Sequence, residues 1–87
     1  MTTWNIELSF LEDTDYTQAI ATLRTPDERR KELRGLGQAR RNPEDRSVPA
    51  IGEEVAGARA LSSLAHELLN YAADEIEKNV LRDDPLM

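Results

Sequence analysis

Apolar and polar residues alternate strictly from Trp4 to Leu11, with Trp4, Ile6, Leu8 and Phe10 on one face and Asn5, Glu7 and Ser9 on the other. A period of two is that of a strand with one face buried. The oxygen-rich cluster Glu12-Asp13-Thr14-Asp15 predicts a turn, and therefore a hairpin. Its second arm, Tyr16 to Thr25, sets Ala19, Ala21 and Leu23 against Gln18, Ile20, Thr22 and Arg24. A third strand is predicted from Leu33 to Arg41, although Gly35 and Gly37 lower its intrinsic propensity. Glycine at alternate positions, followed by Ala39, leaves one strand face almost flat. Such a face suits a helix lying directly against the backbone.

The period then changes. After the polar, twice-proline connection Asn42 to Pro49, apolar residues from Ile51 to Val80 recur at the 3.6 spacing of one long helix with no internal proline. Glu53 and Glu54 are expected in its first turn, where the positive end of the helix dipole favours acids. Pro85 forbids continuation, and Asp83 and Asp84 are expected to fray the last turn. The apolar positions cover an arc of roughly 200°, wider than one sheet-facing stripe needs. Thirty helical residues span about 45 Å, while strands of eight span about 27 Å. Part of the helix is therefore expected to overhang the sheet, bend, or meet another chain, with Leu64, Leu68 and Tyr71 as the contact edge.

Composition narrows the function classes. The 87 residues include 39% hydrophobic and 32% charged residues, which suits one globular domain, and no apolar run reaches the roughly 20 residues needed to span a bilayer. The start, MTTWNIELSF, lacks the basic region of a signal peptide, so a cytosolic location is expected. With no cysteine and one histidine, no disulfide framework, thiolate nucleophile or cysteine metal cage is available, and no cofactor is expected. The net charge of −6 is concentrated in the helical half. Arg24 to Arg46 is locally basic, and Arg29, Arg30, Lys31, Arg34, Arg40 and Arg41 form the strip best suited to a polyanion. The acidic helix opposes that use, and the sheet offers few aromatics for base stacking.

Other constellations carry little chemistry. Ser62, His66 and Asn70 follow one another at i, i+4 and i+8, but no glycine-rich elbow or backbone nest stands beside Ser62 to stabilise an oxyanion. Asp74 and Lys78 have the spacing of an ordinary helical ion pair. Gly35-Leu36-Gly37 lacks the further glycine and the following helix of a phosphate loop.

The run RGLGQARRNPEDRSVPAIGEEVAGARALSSLAHELL, with TWNIEL and TQAIATLR before it, resembles a family of small actinobacterial proteins known as domain of unknown function number eighteen-seventy-six. The resemblance implies a fold similar to the double-stranded RNA-binding domain, with three antiparallel strands and a C-terminal helix. It implies no activity and no site residues. Such RNA-binding domains place lysines at the start of this helix and use an N-terminal helix, neither of which is expected here.

The expectation is thus a single α+β domain: a three-stranded antiparallel meander, with strands at about 3–11, 16–25 and 33–41, covered by a helix at about 50–81. Its core should hold Trp4, Ile6, Leu8, Phe10, Ala19, Ala21, Leu23, Ala39, Val55, Ala58, Leu61, Ala65, Leu68 and Ala72. The function expected is that of a non-enzymatic, self-associating interaction module with a protein partner or a second copy. Weak nucleic-acid binding through the basic strip is the alternative.

Overall fold

The computed structural model describes residues 1–27 and 32–83, with side chains as far as Asn79. Three strands, β1 (Asn5–Asp13), β2 (Tyr16–Arg24) and β3 (Leu33–Arg40), precede one helix, α1 (Pro49–Asp83). The strands form an antiparallel sheet in the order β1-β2-β3. It is the α+β meander that the two periods predict.

The turn between β1 and β2 is closed locally. Asp13 Oδ1 accepts the Thr14 amide at 2.7 Å, and Asp13 stands opposite Tyr16. The β2–β3 pairing extends past Tyr16↔Arg40, because the Arg41 amide donates to the Asp15 carbonyl at 2.8 Å. In the next connection Asn42 organises a turn, its side-chain oxygen accepting from Glu44 N at 3.1 Å and its carbonyl from Asp45 N at 2.9 Å. Pro49 then occupies the first helical position, where its missing N–H costs no intrahelical bond.

Register explains how α1 is seated. Ala19 faces Gly37 and Ala21 faces Gly35, so the centre of the inner face is a platform of the smallest residues. A methyl group on Gly35 would lie 2.7 Å from Leu64 Cα, and one on Gly37 would lie 2.8 Å from the Arg59 carbonyl carbon. Backbone meets backbone here. The helix answers with its own small residues: Ala56 and Ala60 are fully buried with Ala19 and Ala21, and Leu23 and Leu64 close the cluster. Phe10, Leu33, Ala39 and Leu68 pack around it.

The helix is therefore turned relative to the sequence expectation. Ala58, Ala65 and Ala72 are exposed, and Leu61 is 40% exposed. On β1, Trp4, Ile6 and Leu8 are 44%, 52% and 36% exposed. The stripe chosen by flat glycines is Ala56-Ala60-Leu64, because only small side chains permit so close an approach. The bulkier apolar residues are displaced to the flank. Two further expectations change. The helix begins early enough that its first turn holds no acid, and Glu53 and Glu54 stand in the second. Leu64 is 3% exposed and belongs to the core, while Leu68 and Tyr71 are half-buried, so these three do not form an open contact edge.

Helix and sheet differ in length as predicted. Thirty-five helical residues span about 52 Å. Beyond Tyr71 every described side chain is exposed, so the last part of α1 extends past the sheet, and the long dimension of the chain is 64 Å.

Candidate functional site

An exposed apolar flank follows from where α1 rests. Because α1 sits over β2 and β3, the inward side chains of β1 lie beside the helix rather than beneath it. Gly57 marks the junction: a Cβ there would meet Phe10 Cζ at 3.5 Å and Leu8 Cδ1 at 3.8 Å. One helical turn advances about 5.4 Å and two strand residues about 6.8 Å, so successive turns after Gly57 bring Leu61 and then Ala65 toward Ile6 and Trp4. This apolar flank, or trough, carries Trp4, Ile6 and Leu8 on its strand side and Leu61 on its helix side, all partly exposed. Leu69 and Ile76 on the helix are also exposed, at 67% and 64%.

A concavity of about 670 Å³ lies where the β1–β2 turn and the end of β3 meet the start of α1. Its lining includes Tyr16, Thr17, Arg40, Arg41, Arg46, Val48, Ile51 and Arg59. Glu12, Asp13, Asp15 and Asp45 share the same wall, so the site has no dominant charge. Arg41 has a structural task in it. Its guanidinium is ion-paired with Asp15, hydrogen-bonded to the Asp45 carbonyl, and reaches the Asn42 and Pro43 carbonyls at 3.3 Å each. That one side chain ties the hairpin turn to the β3–α1 connection.

The basic strip is divided by the fold. Arg29, Arg30 and Lys31 lie outside the described residues. Arg34 is paired with Glu32 at 3.0 Å, and Glu32 also pairs with Arg24 at 3.1 Å. The Arg34 hydrogen bond, followed by Arg24, holds the Glu32 carboxyl below its usual range despite some desolvation. Arg24 further reaches Glu7 at 3.6 Å. Arg40 lies over the Tyr16 ring, 5.5 Å from its centroid, and Arg41 is turned into the cleft. The structure thus does not bring Arg34, Arg40 and Arg41 together as one cationic face.

His66 is exposed and its Nδ1 donates to the backbone carbonyl of Ser62 at 2.8 Å. That bond engages the main chain of Ser62 and leaves its hydroxyl unactivated. His66 is not among the residues lining the cleft. Among the described residues no group of acidic, histidine or cysteine side chains converges on a metal position, and no helix is long and apolar enough to cross a membrane.

Against known proteins, the decisive match is a family model, Rv2632c-like, that covers residues 2–84. The chain belongs to the Rv2632c-like family. Similar relatives include Uncharacterized protein Mb1767 of Mycobacterium bovis and Uncharacterized protein MT1780 of Mycobacterium tuberculosis. Each is 46% identical over 74 residues, 85% of this chain and 76% of the relative. Uncharacterized protein Rv2632c of Mycobacterium tuberculosis is 45% identical over 47 residues, covering 54% of this chain and 50% of that protein. The crystal structure of Rv2632c superposes with a TM-score of 0.79 at 35% identity, covering 91% of this chain and 90% of that one. The two chains thus share one fold over most of their length. None of these names carries an activity.

The trough was missed in the sequence because Trp4, Ile6 and Leu8 read as core. A signal existed. Ala56 and Ala60, four residues apart, are the small residues that Gly35 and Gly37 require opposite them.

Proposed function

We propose that this Rv2632c-like chain is a non-enzymatic protein-interaction module that associates with a second copy of itself through the apolar trough. The observation that supports the reading is the joint partial exposure of Trp4, Ile6, Leu8 and Leu61. Single exposed apolar residues are ordinary on a protein surface, whereas contiguous ones mark interaction sites. A catalytic role has less support, because the histidine is spent on a backbone carbonyl and the cleft is held together by its own charges.

Phosphate binding by the basic strip is also the weaker reading. Arg24 and Arg34 already have Glu32 as partner, and a polyanion would have to displace it. A resemblance to double-stranded RNA-binding domains adds little, since the start of α1 adjoins as many acids as arginines.

A dilution series followed by amide NMR tests the proposal. Between about 10 μM and 1 mM, resonances of Trp4 to Leu8 and of Leu61 should shift or broaden together, while those of Leu36 on the opposite face stay fixed. Concentration-independent spectra would reject self-association.

A further inference from the structure

Self-association leaves the cleft at the start of α1 without a role, yet its lining is sorted in a way that selects a ligand. Its volume of about 670 Å³ falls within the roughly 300–1,000 Å³ of small-molecule sites. Ile51, Val55 and Arg59 all line it at a spacing of four, so one ridge of the helix carries two apolar residues and then a cation. Val48 extends the apolar stretch, and Val48 and Ile51 are 38% and 57% exposed there.

The charges of the lining differ from end to end. Glu12, Asp13 and Asp15 come from the β1–β2 turn, where Arg41 pairs with Asp15 and the Thr14 amide donates to Asp13. Asp45, the fourth acid, stands in the β3–α1 connection. Arg59 and Arg46 come from the helix and that same connection. Arg59 donates one Nη1–H to the Gln38 carbonyl at 2.8 Å, which aims its guanidinium and leaves the charge uncompensated. Arg46 is exposed and has no ion pair among the described residues.

We infer that the cleft binds a monoanionic amphiphile, an organic carboxylate with a medium-length hydrocarbon chain. The chain lies along Val48, Ile51 and Val55, and the carboxylate meets Arg59, with Arg46 as the second cation. This site is independent of the self-association proposed above.

Length and charge both fit that class. From Ile51 to Arg59 the helix rises about 12 Å, comparable to an extended medium-chain fatty acid. A guanidinium fork matches a planar carboxylate with two parallel bonds. A phosphate dianion is served less well, because the four acids in the same lining oppose a second negative charge. One wall is also fixed in advance, since Arg41 ties the hairpin turn to the connection.

An amide NMR titration of the full chain with sodium decanoate, below its micellar concentration, tests the site. Amides of Val48, Ile51, Val55 and Arg59 should shift and saturate with a dissociation constant on the order of 1 mM or below, while those of Ile6 and Leu8 stay fixed. Octanoate should bind more weakly, since each buried methylene contributes about fourfold. Decyltrimethylammonium, with the same chain and the opposite charge, should not saturate the site. Arg46→Gln and Arg59→Gln should each weaken decanoate binding by about threefold to tenfold. Arg59 also anchors β3, so Arg46→Gln, at an exposed position, and the chain-length series carry the test if Arg59→Gln loosens the fold. Binding of the cationic amphiphile as tight as that of decanoate would overturn the inference, as would an absence of saturation. Shifts confined to Trp4, Ile6, Leu8 and Leu61 would overturn it too, placing decanoate on the trough and leaving self-association untouched.

Discussion

The backbone of Leu64 rests on Gly35 so closely that no β-carbon fits between them: one built on Gly35 would lie 2.7 Å from Leu64 Cα. Gly37 repeats the relationship one turn earlier, against Ala56, Arg59 and Ala60. Neither contact involves a flexible side chain that can move aside.

Gly35→Ala and Gly37→Ala should therefore each destabilise the fold by about 3 kcal/mol or more, at the upper end of overpacking costs. Gly57→Ala should do the opposite. Its new methyl would meet Phe10 and Leu8 at ordinary contact distances of 3.5 and 3.8 Å, and alanine is the better helix former. A gain of about 0.5–1 kcal/mol is expected. Urea unfolding of the three variants checks both signs.

Arg41 should matter more to stability than any other surface arginine described. Its guanidinium serves Asp15 and the carbonyls of Asn42, Pro43 and Asp45 at once. Arg41→Ala is expected to cost about 1–3 kcal/mol through lost charge-assisted bonds and unpaired acceptors. Arg41→Lys should recover less than half, since a point charge cannot reproduce the fork. Thermal melts of the two variants decide this.

Glu32 gives a pH dependence of defined sign. Its carboxyl is held below the ordinary value of 4.5, first by the Arg34 hydrogen bond and then by Arg24. A depressed folded-state pKa means stability that is present above the unfolded pKa and is lost as pH falls through the folded one. Wild type should thus exceed Glu32→Gln in stability at pH 7, and the difference should vanish on acidification to below the folded pKa. The group is exposed, so the effect is small and 0.5 M salt should reduce it further. Paired denaturation curves at pH 7 and pH 3 measure it.

The two helix faces should separate fold from association. Ala60→Leu, at a fully buried position against Gly35 and Gly37, is expected to prevent folding. Leu61→Asp, at a position 40% exposed on the trough, should leave the circular dichroism spectrum and melting temperature within about 2 °C of wild type. Its effect should appear as lost self-association.

These contrasts indicate what the sequence could and could not convey. Strand alternation, the turn at Glu12 to Asp15 and the proline-bounded start of the helix are local signals, and each element lies within a few residues of its expected place. The flat glycine face was legible too, because an absent side chain has one evident use in a strand. The azimuth of α1 was not, since an arc of about 200° contains several stripes and hydrophobicity favours the leucine-rich one. Steric fit favours Ala56 and Ala60. That choice made core out of Trp4, Ile6 and Leu8, which are partly exposed, and made an edge out of Leu64, which is core. Charge pairing across Arg24, Glu32 and Arg34 depends on strand register, which the linear basic strip does not display.

Sedimentation equilibrium tests the central claim most directly. From about 5 μM to 500 μM the chain, of 9.8 kDa, should move from the monomer mass toward twice that value, and Leu61→Asp should remain at the monomer mass throughout. A wild-type mass of 9.8 kDa at the highest concentration would contradict the account.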